Sequence, residues 1–371
     1  MIYADNAATT RLDPDAFAAM RCFLLEKYGN ASQAYSLGIE ARKAIKASRE
    51  KIAACIGADP EEIFFTSGGT ESDNWAIKMG SGRDGDIITS AIEHHAVLRP
   101  CEMLEKLGRH VVYAPVSATG EINIAFVQEN ITERTRLLSF MYANNEIGSI
   151  QPIETLVDIA HRHSCIFHTD AVQAVGHVEI NVHDLRIDML SASAHKFNGP
   201  KGIGFLFIRK GVDIGAFMNG GSQECGLRAG TENTASIVGM AVALEKNCNN
   251  IRANEQHIRS LESTFLSMLN AAGLRYIRNG SSHTLPGNVS LSFPNVTGEM
   301  LLHRMDLHGI CISTGSACDS VNTQISHVIQ AIRVPEEFAE GTIRISLGKD
   351  NTKEDVHQIA KTLTEIILNQ V

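Results

Sequence analysis

The sequence lacks several features that mark particular classes of protein. No apolar run approaches the roughly 20 residues of a transmembrane helix, and the start, Met1 to Asn6, shows no basic segment leading into an apolar one. Neither a membrane span nor a secretory signal is therefore expected. The eight cysteines include no Cys-x-x-Cys pair, which argues against a zinc finger and against a disulfide framework. A reduced, cytoplasmic setting is expected.

An excess of positive charge is also missing. Lys and Arg number 33 against 42 Asp and Glu, giving a formal net charge of −9, whereas nucleic-acid binders normally carry a basic patch. The 371 residues are 44% hydrophobic and 20% charged, so the chain can bury a sizeable core. This length predicts two domains or one large α/β unit.

Short β-branched or aromatic runs alternate with helical patterns through the first part of the chain. Such alternation predicts βαβ crossovers, and hence an α/β fold with a mostly parallel sheet. The predicted strands are 62–66, 86–90, 110–114, 137–143, 165–170, 188–191 and 202–208, and the predicted helices between them include 39–56, 96–107 and 153–163.

The pattern changes after about residue 255. A long helical stretch at 256–271 leads to short strands at 288–293, 309–313 and 342–347. The last helix opens at Thr352 with the spacing of a capping box. These features predict a smaller α+β domain packed on the first.

The segment from Ser193 to Gly202 places Lys196 between a strand and a Gly-Pro turn. A lysine used covalently needs neighbours that lower its pKa and small residues that admit a flat ligand. A lysine in such a loop is more often a solvated turn residue. The segment alone leaves both interpretations open.

Two further segments join a predicted strand to a turn. Thr66 to Ser72 is a glycine turn before a helix expected to begin near Glu71, where free N–H groups would favour a phosphate. An ordinary turn with a Thr cap is the alternative.

The segment from His168 to Gln173 lies at the end of another predicted strand. There Asp170 could hold a ring nitrogen protonated and Gln173 could donate to a phenolate oxygen, or Asp170 could cap a helix.

Two adjacent histidines, His94 and His95, follow a third strand. Stacking of one of them on a flat ring is the favoured functional interpretation, and a structural histidine is the alternative. A binuclear metal site is a weaker hypothesis, because no complete metal-ligand spacing is present. Such a site would add His161, His163, His168 and Asp170.

Small or polar residues surround Cys318 in the segment from Ile312 to Ser320. This composition predicts a thiol that is exposed on a loop. An exposed thiol in a cytosolic protein is a liability unless it is used. Cys318 is therefore a candidate nucleophile.

Together these segments resemble the NifS/IscS-type cysteine desulfurases, which are pyridoxal 5'-phosphate (PLP) enzymes of the class V aminotransferase group. The matching segments run in order from Tyr3 to about Lys349: TSGGTESDN, EHHAV, NNEIG, HTDAVQ, SAHKFNGPKG, LRAGTEN, STGSACDS and IRISLG. The resemblance implies PLP-dependent transferase fold type I and a homodimer. It divides the chain into a large PLP-binding domain, 13–255, and a small domain, 1–12 with 256–371, that carries the Cys318 loop.

The resemblance also implies roles for individual residues. Lys196 would bind PLP covalently and move the substrate Cα proton, with His94 stacked on the ring and Cys318 as the nucleophile. Substrate would be bound by Asn30, Asn145 and Arg344. The cofactor-binding residues would be Gly69, Thr70, His94, Asn145, Asp170, Gln173, Ser193, His195 and Lys196, with Thr231 reaching in from the partner subunit.

The implied reaction removes sulfur from L-cysteine. The Cys318 thiolate would attack the substrate sulfur, which leaves L-alanine and an enzyme persulfide. An acceptor protein, such as an iron–sulfur scaffold, or a tRNA thiolation route would then receive the sulfur. Membranes and direct nucleic-acid binding are not expected.

Some segments depart from the family pattern. The segment from Gly29 to Gly38 lacks the usual Pro and His, Cys225 stands where an arginine is usual, and Asp319 and Gln324 differ near the active cysteine. Three alternatives therefore remain: a selenocysteine lyase, a specialised sulfur-transfer relative that uses Cys225 as a second thiol, and an inactive scaffold.

Overall fold

The computed structural model describes residues 1–82, 84–314 and 325–369. Its helices are α1 (Pro14–Leu25), α2 (Ser36–Ile56), α3 (Gly69–Gly80), α4 (His95–Lys106), α5 (Ile124–Asn130), α6 (Ile153–Arg162), α7 (Thr234–Cys248), α8 (Ile251–Ala271), α9 (Gly298–Leu307), α10 (His327–Ala331), α11 (Glu336–Ala339) and α12 (Lys353–Leu368). Its strands are β1 (Ile2–Tyr3), β2 (Ile63–Thr66), β3 (Asp86–Ser90), β4 (Val111–Ala114), β5 (Thr135–Ser139), β6 (Ile166–Asp170), β7 (Met189–Ser193), β8 (Gly204–Ile208), β9 (Ile277–Asn279), β10 (Asn288–Ser292), β11 (Ile310–Cys311), β12 (Ser313–Thr314) and β13 (Thr342–Ser346).

The central sheet has seven strands in the order β2-β8-β7-β6-β5-β3-β4. Strand β8 is antiparallel to both of its neighbours, and the other pairs are parallel. This confirms the α/β class and the mostly parallel sheet. All seven predicted strands occur, but the predicted strand 137–143 is Thr135–Ser139. Beyond Ser139 the Phe140 and Tyr142 amides still donate to β6, whereas the Met141 amide donates to the Glu93 side chain.

The helical periodicity of the sequence predicts α2 but does not predict α7. Helix α2 ends as predicted at Gly57, whose φ of +68° favours glycine. Helix α7 was not predicted, because small residues buried around most of its surface leave no amphipathic pattern. No helix in the described ranges is long and apolar enough to cross a bilayer.

A second layer is built from the C-terminal part of the chain. Its four-stranded antiparallel sheet has the order β12-β13-β10-β9. The predicted strand 309–313 is divided, because Ile310–Cys311 pairs with β1 whereas Ser313–Thr314 pairs with β13. Helices α8 and α12 contribute to an apolar core that also includes Ala4.

The domain bounds stay a prediction. The core of this second layer is separate from the apolar clusters that flank the central sheet. Helix α8 crosses the predicted bound between residues 255 and 256.

Candidate active site

A cavity of about 300 Å³ lies at the carboxyl ends of β6 and β7, against the second layer. In a parallel sheet this is where ligands gather, and the volume suits a cofactor-sized molecule. The cavity brings together ten of the predicted site residues, although they span the chain from residue 69 to residue 344: Gly69, Thr70, His94, Asn145, Asp170, Gln173, Ser193, His195, Lys196 and Arg344.

Lys196 ends a short 3₁₀ helix that directly follows β7. Its Nζ donates to the carbonyl oxygens of Ala7 at 2.6 Å and Ala8 at 2.8 Å, and Gln173 Nε2 donates to the same Ala7 oxygen at 3.0 Å. The N-terminal segment is held there because Thr10 Oγ1 donates to the His195 carbonyl at 2.8 Å. Sequence reasoning missed Ala7 and Ala8, since a backbone carbonyl leaves no signature in residue type.

Asp170 ends β6, the central strand of the sheet. Its side chain is 6% exposed, and its Oδ1 accepts from the Val172 amide at 2.9 Å. Burial raises the pKa of Asp170 to about 6, while that amide and the Lys196 ammonium act in the opposite direction. A turn follows Asp170, so the alternative of a helix cap is wrong.

His94 is the N-cap of α4, and its Nδ1 accepts from the Ala96 amide at 3.1 Å. This bond places the ring proton on Nε2. Burial, followed by the charges of Lys196 and His95, lowers the pKa of His94 to about 4. The ring is therefore neutral near pH 7 and able to lie against an aromatic ligand.

A glycine turn forms one wall of the cavity. Helix α3 begins at Gly69, and its N-cap residue is Gly68, so the predicted Thr cap is wrong. Gly68 has a φ of +151°, a backbone conformation that essentially only glycine adopts. Gly204 on β8 is also required, because a Cβ there would lie 2.7 Å from Gly68 Cα. The close approach brings the first turn of α3 beside Ser193 at the end of β7.

Hydroxyl and imidazole groups complete this wall. Thr70, Ser193 and His195 all line the cavity near the helix N-terminus. Burial, followed by Lys196 and Lys201, lowers the pKa of His195 to about 4. A helix N-terminus with hydroxyl and imidazole donors is suited to a phosphate group.

Arg344 lies on β13 and is 3% exposed. Its Nη2 donates to Asp5 Oδ1 at 2.7 Å and its Nη1 donates to the Asn145 carbonyl at 2.9 Å. Its buried Nε has no hydrogen-bond partner among the described residues. The guanidinium can therefore serve a carboxylate at the substrate side of the cavity.

Three predicted residues are not placed in this cavity. Asn30 Oδ1 accepts from the Ser32 amide at 2.9 Å, outside the cavity lining. Thr231 is exposed and also outside the lining. Cys318, like Asp319 and Gln324, lies outside the described residues.

Sequence reasoning missed two buried carboxyl groups beside the site. Asp73 lines the cavity, and burial followed by the nearby Asp170 raises its pKa. Burial also raises the pKa of Glu93 to about 8; this side chain accepts from Ser90 Oγ at 2.5 Å. Helical spacing could have found Asp73, because it follows Thr70 by three residues on α3.

The histidines of the metal hypothesis do not converge. His161 Nε2 contacts Asp188 at 2.8 Å, whereas His168 lies between the hydroxyls of Ser139 and Ser191. In the ranges 1–82, 84–314 and 325–369, the group with metal-binding spacing is a different one: Asp59, Glu62 and His183. In this group the Glu62 carboxylate accepts from the Asp59 amide and contacts His183 Nε2 at 2.8 Å, so it has protein partners.

The sequence matches the family model described as aminotransferase class-V over residues 2–359. The chain belongs to the class-V aminotransferase family. It is 47% identical to the cysteine desulfurase IscS of Dictyoglomus turgidum, over 99% of this chain and 94% of that one. This family membership confirms the resemblance seen in the motifs.

Solved structures of this family share the fold. A NifS-like protein superposes with a TM-score of 0.93 at 40% identity, covering 99% of each chain. The structure titled SspA in complex with cysteine gives a TM-score of 0.84 at 36% identity, covering 95% of this chain and 100% of that one. These similarities confirm the fold class expected from the sequence, that of NifS-like fold type I enzymes.

Proposed function

We propose that the protein is a PLP-dependent cysteine desulfurase, which converts L-cysteine to L-alanine and carries the sulfur as a persulfide on Cys318. The observation that carries the proposal is the meeting of Lys196, Asp170 and His94 in one cavity with a helix N-terminus. The relatives named cysteine desulfurase support the choice of reaction.

The donor groups of the cavity fit PLP. The first turn of α3, with Thr70, Ser193 and His195, would hold the phosphate. Asp170 would hold the ring nitrogen, and Gln173 would donate to the ring hydroxyl oxygen. When bound, PLP supplies an electron sink for the bonds at the substrate Cα.

The chain's own groups then hold and move protons. Asp170, once ionised, would keep a proton on the ring nitrogen through a charge-assisted hydrogen bond. Neutral His94 would lie against the ring, with its Nε2–H available to donate. Lys196 Nζ, which donates to the Ala7 and Ala8 carbonyls, would move the Cα proton once it is a free amine.

Arg344 would bind the substrate carboxylate by a bidentate pair, with Asn145 beside it. The thiolate of Cys318 would then form a bond to the substrate sulfur while the carbon–sulfur bond breaks. The carbon retains the electron pair and takes a proton, which gives L-alanine. A sulfur acceptor protein, such as an iron–sulfur scaffold, would take the sulfane sulfur from Cys318.

A homodimer in the cytoplasm is part of the proposal. Phe17, Leu24 and Leu25 lie on the outer face of α1 with more than half of each side chain exposed, which suits an interface with a second copy. Thr231 is exposed, as a residue that serves the partner's phosphate site would be. The seven described cysteines are all free thiols, in keeping with a reducing compartment.

One experiment tests the function. The purified protein is examined for the visible absorbance of bound PLP, and L-cysteine is then added while alanine and sulfide are measured. We expect Lys196→Ala to lose the cofactor's visible band and turnover, and Cys318→Ser to keep the band and lose turnover. A protein that binds PLP but releases no alanine from cysteine would overturn the choice of substrate.

The same assay addresses the alternatives. Selenocysteine turnover that persists in Cys318→Ser would favour a selenocysteine lyase. Cys225 is exposed, and its proposed role as a second thiol fails if Cys225→Ser leaves sulfide release and persulfide yield unchanged.

A further inference from the structure

Two cysteines that are far apart in the sequence both pack against one apolar cluster that flanks the central sheet. Cys55 lies in the last turn of α2, and Cys248 is the last residue of α7. The helices run side by side in the same direction, because one turn earlier Lys51 Nζ contacts Glu245 Oε2 at 2.7 Å. Cys248 Sγ lies 3.9 Å from the Cys55 carbonyl oxygen, across a separation of 193 residues.

The two side chains also lie close enough for each thiol to influence the pKa of the other. The neighbouring Cys248 thiol, followed by burial, raises the pKa of Cys55, and the Cys55 thiol lowers the pKa of Cys248. Cys248 is therefore the first of the two to become a thiolate, which is the nucleophilic form of cysteine. Both residues are half-buried, so a small oxidant has access to them.

Cys101 and Cys165 differ from this pair in the cause of their pKa shifts. Burial raises the pKa of Cys101 to about 12 and that of Cys165 to about 11, which keeps both as thiols. Cys165 Sγ contacts the Thr135 carbonyl oxygen rather than another sulfur. Neither Cys101 nor Cys165 has its pKa shifted by another cysteine, whereas Cys55 and Cys248 shift the pKa of each other.

We propose that Cys55 and Cys248 are a reversible disulfide site oxidised by a peroxide. The Cys248 thiolate attacks one peroxide oxygen, the O–O bond breaks, and a sulfenic acid forms with release of water. The Cys55 sulfur then attacks the sulfenic sulfur and expels a second water. Two thiols and one H₂O₂ thus give one disulfide and two waters, and the two sulfurs are oxidised as the peroxide is reduced.

The cross-link would join two elements that support the active site. Helix α2 carries Arg49, which pairs with Glu224 in the loop before Thr231. Next to Cys248, Asn247 Nδ2 donates at 2.8 Å to the carbonyl of Phe197, the residue after Lys196. A covalent tie between the helices closes a long loop and restricts the unfolded chain.

Peptide mapping tests the proposal directly. The holoenzyme, kept free of cysteine, is treated with H₂O₂, its remaining thiols are blocked with N-ethylmaleimide, and it is digested with trypsin without reduction. Each site lies alone in its tryptic peptide, 52–78 for Cys55 and 247–252 for Cys248. We expect these peptides to appear joined, with the loss of two hydrogen atoms, and to separate on reduction with dithiothreitol.

Variants and a stability measurement supply the controls. Cys55→Ser and Cys248→Ser should each abolish the joined peptide, whereas Cys225→Ser, which removes an exposed cysteine, should leave it unchanged; alanine variants replace the serines if those fail to fold. The thermal midpoint should shift upward on oxidation and return on reduction. Recovery of both peptides in blocked form, while Cys225 is oxidised, would overturn the proposal. Because the readout is a peptide mass, the result does not depend on desulfurase activity.

Discussion

Arg228 and Glu71 form a bidentate ion pair that joins two walls of the candidate site. Arg228 Nε lies 2.7 Å from Glu71 Oε1, and its Nη2 lies 3.0 Å from Oε2. Glu71 stands in the first turn of α3 and also accepts from the Ser67 amide at 2.9 Å. The pair therefore fixes the loop before Thr231 to the helix N-terminus proposed to bind phosphate.

Replacing Arg228 with Gln should weaken PLP binding about 10-fold and cost about 2 kcal/mol of unfolding free energy, because Glu71 loses a charged partner in a site largely shielded from water. Cofactor titration and urea unfolding measure the two effects. Arg252→Gln is the matched control, since its pair with Glu179 is solvent-exposed, and no measurable change is expected. Equal effects of the two variants would contradict the positioning role.

Gly68→Ala should abolish PLP binding. The φ of +151° and ψ of −177° at Gly68 are accessible essentially to glycine alone, so an alanine costs about 2 kcal/mol or shifts the first turn of α3. Absorbance of the bound cofactor measures the effect.

Gly108→Ala is the control, because Gly108 has a φ of +86° with open space around the added Cβ. It should lose a similar amount of stability and keep full cofactor binding. If Gly68→Ala retains the cofactor, the turn is not part of the phosphate site.

Stability should depend on pH through Glu93. Its pKa is about 8 in the folded protein and about 4.5 in the unfolded chain, so the folded state keeps a proton that the unfolded state has lost. Raising the pH through this window therefore favours unfolding, by about 1.4 kcal/mol per pH unit. Between about pH 6.5 and 8, the unfolding free energy should fall by about 2 kcal/mol more in the wild type than in Glu93→Gln.

The comparison with Glu93→Gln separates Glu93 from the other perturbed groups, which include Asp73 with its raised pKa and which both proteins keep. The pKa values of His94, His168 and His195 are lowered, so these side chains add stability as the pH rises, and they do so below about pH 6.5. The titration of Asp170 changes the unfolding free energy mainly below about pH 6. Urea unfolding of both proteins at the two pH values provides the comparison, and identical slopes would show that Glu93 is ionised in the fold.

Arg344→Gln should lower kcat/KM for L-cysteine about 100-fold, mainly through KM, because a charge-assisted bidentate bond to a carboxylate is worth about 2–3 kcal/mol. The absorbance of bound PLP should remain. Arg278→Gln is the control, since Arg278 lies in the same sheet and pairs with the buried Glu262 outside the cavity. A fall in kcat with an unchanged KM would place Arg344 elsewhere in the reaction.

Much of the site could be predicted because its residues follow strand ends. Asp170 is the last residue of one strand and Lys196 ends the short 3₁₀ helix that follows another, and parallel strands bring their carboxyl ends to one edge of the sheet. The alternation of strands and helices was enough to predict that sheet. Helix α7 escaped prediction because a helix buried on most sides carries no amphipathic period.

The sequence alone determined the fold class, the family resemblance and most of the side chains around the cavity, because local periodicity and motif order are written in consecutive residues. The tertiary structure alone decided which groups are partners. It placed the Ala7 carbonyl on Lys196, Asp5 on Arg344 and Cys55 beside Cys248. The residues in these pairs are 189, 339 and 193 positions apart in the sequence. Residue spacing along the chain cannot predict such contacts, because they form only when the layers pack together.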